Sequence, residues 1–374
     1  MKKTGIYIHI PFCRSKCGYC DFNSYAGMEE CISPYFCALN REIELTAEKY
    51  KNITVDTIYF GGGTPTLAGS KHLAPTLEKL FSSYNICSDA EITAECNPGT
   101  VDFDELKRLR NCGINRLSIG LQSVSDRELK MLGRIHTYSD FVECFNNARR
   151  AGFDNLSLDL MYGLPDQTTA GWTNTLNTAA ALGCEHISCY SLKIEDGTPF
   201  SKRKLNLPDD DTVADMYEIC FDTLNKHGYK RYEISNFAKD GKYSRHNLKY
   251  WRCDDFLGLG AGAFSCMDGE RFSNALNFHD YIHCINESQN AVIDKTTLSE
   301  NDKIEEFVFL GLRCARGISL SEFENRFGKS IFDIYGGVIQ KYQKLGYMHL
   351  SDNRLSLTGK AFFVSNTILS DFIL

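Results

Sequence analysis

Cys13, Cys17 and Cys20 stand close together in the run Tyr7-Ile-His-Ile-Pro-Phe-Cys13-Arg-Ser-Lys-Cys17-Gly-Tyr19-Cys20. Thiolates at this spacing can each ligate a different iron of a [4Fe-4S] cubane, which ordinarily takes four. The fourth iron is then open to a ligand with amino and carboxylate groups. S-adenosylmethionine (SAM) carries both, and an electron from the cluster can cleave its sulfonium to a radical. The rival readings are a three-cysteine zinc site and coincidence in a chain of sixteen cysteines. The position of the triplet directly after a strand-like run tells against both. The remaining cysteines, such as Cys37, Cys87, Cys112, Cys144, Cys220 and Cys314, are scattered singly. That pattern suits reduced, mostly buried residues rather than a disulfide scaffold, which belongs to small secreted domains.

Further groups could hold a ligand beside such a cluster. Gly61, Gly62 and Gly63 follow an apolar run ending at Phe60, and successive glycines permit unusual backbone angles and close approach to a ligand. Alone they could be only a turn. Glu95 and Gln122 fall at or just past the ends of strand-like runs, where a carboxylate or amide could hold ribose hydroxyls or a methionyl group. Alone, each could be a cap or a surface residue. Asp159 lies inside an apolar run, and a buried carboxylate needs partners. Arg134 could pair with that carboxylate or with one on a ligand.

These residues need a frame. Short β-branched runs at 5–10, 56–60, 91–95, 116–120, 155–161 and 186–192 alternate with amphipathic stretches at 29–49, 71–82, 104–112, 138–151 and 171–182. Six strands alternating with helices predict an α/β core of parallel strands with right-handed crossovers. Its site should lie at the C-terminal strand ends, where the chemically distinctive residues fall. The rhythm fades after about residue 200: 201–211 is polar, and Gly-Leu-Gly-Ala-Gly at 258–262 reads as a tight loop. From 299 the pattern is helical (299–313, 319–327, 331–345), then hairpin-like over 348–357, with a last helix from 358. This predicts a winged-helix-like accessory module. The expected organisation is a core domain over 1–235, a connecting region over 236–298 and the helical domain over 299–374.

Composition narrows the partners. A net charge of −7 argues against nucleic acid or an anionic membrane surface, and lysines and arginines do not cluster on the candidate recognition helix. No apolar run approaches the roughly 20 residues needed to span a bilayer. The short apolar start carries His9 and Pro11, unlike a signal peptide, so a cytoplasmic location is expected.

The CxxxCxxC triplet is the signature of the radical SAM superfamily, which the chain resembles closely. The triplet's run, Gly61-Gly-Gly-Thr-Pro-Thr66, Ala94-Glu95-Cys-Asn-Pro-Gly99, Ser118-Ile-Gly-Leu-Gln122-Ser, Asp159-Leu-Met-Tyr-Gly-Leu-Pro165 and His246-Asn-Leu-Lys-Tyr-Trp251 match, in order, the oxygen-independent coproporphyrinogen III oxidase-like family. They fit best its haem chaperone branch. The resemblance implies a partial (β/α)6 radical SAM barrel with a C-terminal HemN-like domain. It implies a [4Fe-4S] cluster on Cys13, Cys17 and Cys20, and SAM contacts from Tyr7, Tyr19, Gly62, Gly63, Thr64, Glu95, Gln122, Arg134 and Asp159.

Two functions are then open: oxidative decarboxylation of coproporphyrinogen III, or carriage of haem to an acceptor protein. The oxidases have a fourth cysteine two residues after the triplet, where this chain has Phe22, and a longer segment before it than the twelve residues here. Both departures favour the chaperone, and decarboxylation is not expected. In the other direction, Phe264 stands where the chaperone branch often has a histidine. A different radical SAM reaction on another substrate is a third possibility. The chaperone reading implies haem, a haem acceptor that could be a membrane protein met transiently, and an electron donor. His246 offers a possible haem-iron ligand, with Tyr250 and Trp251 as aromatics for a porphyrin face. The bland alternative is a hydrogen-bonded structural histidine with two core aromatics.

Overall fold

The computed structural model describes residues 3–374, so Met1 and Lys2, at the start of the expected core domain, lie outside the described residues. Six strands, β1 (Lys3–Ile10), β2 (Thr54–Gly62), β3 (Asn85–Cys96), β4 (Arg116–Gln122), β5 (Leu156–Tyr162) and β6 (His186–Ser191), pair in chain order, all parallel. Crossover helices α1 (Ile32–Tyr50), α2 (Ser70–Ser83), α3 (Phe103–Asn111), α4 (Tyr138–Ala151) and α5 (Thr169–Ala181) join them. This is the expected partial (β/α)6 barrel. Along each strand one parity is apolar and fully buried beneath the helices, for example Ile6, Ile8, Ile58, Phe60, Ile119, Leu158 and Leu160. The other parity is polar: Tyr7, Tyr59, Glu95, Ser118, Asp159 and Ser188. Successive strand residues point to opposite faces, so a carboxylate within an apolar strand reaches the barrel interior.

The alternation does not stop at residue 200. A sixth helix, α6 (Asp210–Lys226), packs on α5. The Asp209 side chain caps it by accepting from the Thr212 amide, and Met216, Tyr217, Cys220 and Leu224 form its buried stripe. Its acidic first turn made the start read as linker. The stretch between 236 and 298 also joins the sheet. Asn236–Ala238 runs antiparallel to β6, and Phe256–Leu259 runs parallel to β1. Phe264–Met267, Glu270–Asn274 and Val292–Thr297 follow antiparallel, giving a twelve-stranded sheet. Gly258 therefore lies in a strand, and the turn begins at Gly260 (φ +96°). Between these strands, α7 (Arg245–Trp251) lies beneath the N-terminal ends of β1 to β3, holding the Lys3 carbonyl, Asp56 and Glu91.

The C-terminal module has helices Glu300–Arg313, Leu320–Phe327 and Ile331–Lys344 beside a three-stranded sheet of Ile318–Ser319, Met348–Ser351 and Arg354–Leu357. Asp352 and Asn353, both at positive φ (49° and 60°), turn its hairpin. Helices followed by a hairpin make the module winged-helix-like, as expected. Among the described residues no helix is long and apolar enough to cross a membrane.

Candidate radical SAM centre

The three cysteines sit on a loop leaving β1. The loop is closed by a short parallel ladder between Phe12–Cys13 and Tyr25–Ala26 and by Lys16, whose ammonium donates to the Phe22 and Ser24 carbonyls at 3.1 and 3.2 Å. The Gly18 amide donates to the Leu132 carbonyl at 2.9 Å, and the Gly18 carbonyl accepts from Phe200 at 2.9 Å. A Cβ at Gly18 would meet the Phe200 ring at 2.4 Å, so glycine permits this docking. The sulfurs have donors: Thr64 Oγ1 lies 3.6 Å from Cys13 Sγ, and Arg134 Nη1 lies 3.6 Å from Cys17 Sγ. Burial pushes the Cys13 and Cys20 thiols up, while Thr64 and Arg134 beside Cys13, and Lys16 beside Cys20, work against it. Among the described residues, no three histidine, cysteine or carboxylate side chains are grouped to hold a single metal ion. Separate thiols with cationic neighbours fit an anionic cluster, whose irons each sulfur would ligate as the thiolate, its proton leaving to solvent.

Beside the sulfurs lies a cavity of about 130 Å3, which gathers Tyr19, Gly62, Gly63, Thr64, Glu95, Gln122, Arg134 and Asp159. Glu95 accepts from the Gly62 amide at 3.1 Å and from the Tyr59 hydroxyl at 3.0 Å. Burial, and then the nearby Asp159 charge, pushes its carboxyl up to about 7. Gly62 has φ +111°, and a Cβ there would meet the His9 ring at 2.5 Å. Both the His9 ring and the positive φ require glycine here. Gln122 sits at φ +67° where β4 bulges against β5, which turns its amide toward the cavity. Tyr7 is set back from the cavity. Its hydroxyl bonds His9 Nδ1 at 3.0 Å, and its ring stacks on Tyr59 at 6.2 Å.

Arg134 does not pair with Asp159. Its Nη2 donates to Asn97 Oδ1 at 2.5 Å and to the Gly120 carbonyl at 2.8 Å. Asp159 accepts from Ser118 at 3.2 Å. Burial raises its carboxyl, and Arg116 is the main opposing charge. Asn97 also donates to Thr64 Oγ1 at 2.7 Å, so one amide links the donors of two cysteines. That role was within reach of the sequence, because Asn97 stands in the Ala94–Gly99 motif. Arg116 was not singled out: the residue is 2% exposed, its Nε has no hydrogen-bond partner, and it lines a second cavity of about 310 Å3. Its only sequence signal was a charge opening an apolar strand.

The Radical SAM superfamily matches residues 7–179, and the HemN C-terminal domain matches residues 298–364. The chain is 38% identical to "Heme chaperone HemW" of Bacillus subtilis, covering 98% of each chain. It is 41% identical to the protein of the same name from Escherichia coli, over 69% of this chain and 68% of that one. The chain belongs to the HemW family of radical SAM proteins. Among solved structures, the Escherichia coli coproporphyrinogen III oxidase HemN superposes with a TM-score of 0.89 at 24% identity, covering 100% of this chain and 90% of that one. That likeness is one of fold.

Within this HemW-family chain, His246 departs from its expected role as a haem ligand. It is 1% exposed; Nδ1 bonds Thr57 Oγ1 at 2.9 Å and Nε2 bonds the Tyr250 hydroxyl at 2.8 Å. Its ring stacks on Tyr59 at 5.3 Å, and burial together with Lys249 holds it neutral, with a pKa lowered to about 3. Neither ring nitrogen is free for iron. The two aromatics of the motif part company. Tyr250 packs inward on Phe256, at 4.7 Å and nearly perpendicular, whereas Trp251 lines a groove on the far side of α7.

Proposed function

We propose that the chain is a cytoplasmic [4Fe-4S]- and SAM-binding haem chaperone, which binds haem and hands it to an acceptor protein. Cys13, Cys17 and Cys20 hold the cluster, and Glu95, Gln122, Arg134, Asp159, Tyr19 and the Gly62–Thr64 turn form the SAM pocket. The bound cluster would supply an electron to the SAM sulfonium. The protein's own part is positional. Arg134 and Thr64 donate to ligand sulfurs and are held by Asn97, and Glu95 offers a carboxylate that can take or release a proton near neutrality.

The observation that carries the chaperone reading over the oxidase is Phe22. It lines the cavity where the oxidases have a fourth cysteine and is 60% exposed. An apolar ring there supplies neither a thiolate nor a proton. Relatives named as haem chaperones, 32–41% identical, support the same reading. The test is anaerobic reconstitution followed by paired assays on one preparation. Near-stoichiometric haem binding with no carbon dioxide release from labelled coproporphyrinogen III is expected. Release in proportion to protein would restore the oxidase.

A further inference from the structure

On the side of α7 away from the barrel, a groove of about 510 Å3 runs between the core and the C-terminal module, within the range of roughly 300–1,000 Å3 typical of small-molecule sites. Its wall is aromatic: Tyr232 and Tyr243 stack with centroids 4.6 Å apart, beside Leu248 and Trp251. The Trp251 indole nitrogen is buried with no hydrogen-bond partner, and the Arg313 guanidinium covers the ring at 4.6 Å.

The charge in the groove is unbalanced although the whole chain is acidic. Four arginines and two carboxylates line it, and one of those carboxylates, Glu322, already faces Arg326 at 3.5 Å. Arg252 and Arg316 are exposed, and their side chains have no hydrogen bond or ion pair among the described residues. Arg354, held by the Arg316 and Gly317 carbonyls, is lowered by burial and then by the charges of Arg316 and Arg252. Four arginines against two carboxylates, beside an aromatic wall, fit a flat ligand bearing carboxylates. Cys314 is the one cysteine lining the groove, and no histidine does.

We propose that this groove is the haem site, with the haem carboxylates on Arg252 and Arg316 and the iron on Cys314. The inference rests on the chaperone reading. Ligation forms an iron(III)–sulfur bond, and the thiol proton leaves to solvent with no change of oxidation state.

Reconstituted full-length protein titrated with ferric haem and with iron-free protoporphyrin IX tests it. The Arg252→Ala/Arg316→Ala double variant is expected to bind both about tenfold or more weakly, the loss of two charge-assisted contacts. Cys314→Ala is expected to shift the Soret band of bound haem while leaving protoporphyrin affinity unchanged. Iron content and circular dichroism of each variant should match the wild type, since neither arginine side chain holds another residue. If the wild type binds haem and either variant matches it in affinity and spectrum, the groove assignment is overturned and the chaperone reading stands. If the wild type binds no haem, both fall.

Discussion

The cysteine loop and α7 are short segments of similar promise, each crowded with groups that bind cofactors elsewhere, and the fold uses them in opposite ways. At the open end of the barrel, the thiols of Cys13, Cys17 and Cys20 face a cavity, their neighbours are donors and cations, and Glu95 and Asp159 are held by only a few hydroxyls and one amide. At the closed end, His246 spends both ring nitrogens on Thr57 and Tyr250, and Lys249 is paired with Asp56 at 2.7 Å. A binding group is recognised by what it still lacks. The first region still lacks partners, whereas the histidine and the lysine of the second have theirs.

The sharpest break between the two comes from paired deletions. Cys17→Ala should abolish the iron-sulfur absorption near ~400 nm, whereas Cys220→Ala, buried in α6, should keep full iron. Full iron in the Cys17 variant would remove the cluster from this loop. Gly62→Val should come next in size. A side chain at φ +111° against the His9 ring should cost several kcal/mol of stability, on the order of 3 or more, lowering the denaturation midpoint as well as SAM affinity. Loss of SAM affinity at an unchanged midpoint would return Gly62 to a ligand-only role. His246→Ala should cost about 2–4 kcal/mol, from two lost buried hydrogen bonds and a cavity, and leave the haem spectrum as it was. A changed spectrum at unchanged stability would make His246 a ligand after all.

The smallest expected effect is in pH. Burial raises the Glu95 carboxyl from an ordinary 4.5 to about 7, so the folded state holds a proton that the unfolded chain has released. Its contribution to stability is therefore present below about 4.5 and is lost as pH rises to about 7. SAM carries a sulfonium cation and should bind more tightly as Glu95 ionises, so wild-type affinity should rise between about pH 6 and 8. Glu95→Gln should flatten that rise. A slope that persists in the variant would assign the titration to another group.

Much of the open end was legible in the sequence because its parts are local. The cysteines are consecutive on one loop, and Gly62, Glu95, Gln122 and Asp159 each follow or interrupt a strand whose period places them. The closed end was not legible in the same way. His246 finds Thr57 across 189 residues, and no spacing along the chain announces such a pairing. The helix α6 was hidden because Asp209, Asp210 and Asp211 look like solvated linker, yet they cap the first turn and favour its dipole. The strands between 256 and 297 were missed for a different reason. Each is only four to six residues long, and the later ones, Glu270–Asn274 and Val292–Thr297, are mostly polar.

One further consequence lies in α7 itself, a helix of only seven residues. Arg245 reaches Asp56 and Asp89, His246 and Tyr250 hold each other, and Asn247 faces the barrel cavity. Leu248 and Trp251 face the groove, while Lys249 secures the start of β1. No face of the helix is idle. Saturation mutagenesis should therefore return near-uniform intolerance across Arg245–Trp251, and only a ligand-resolved readout can separate binding contacts from structural ones.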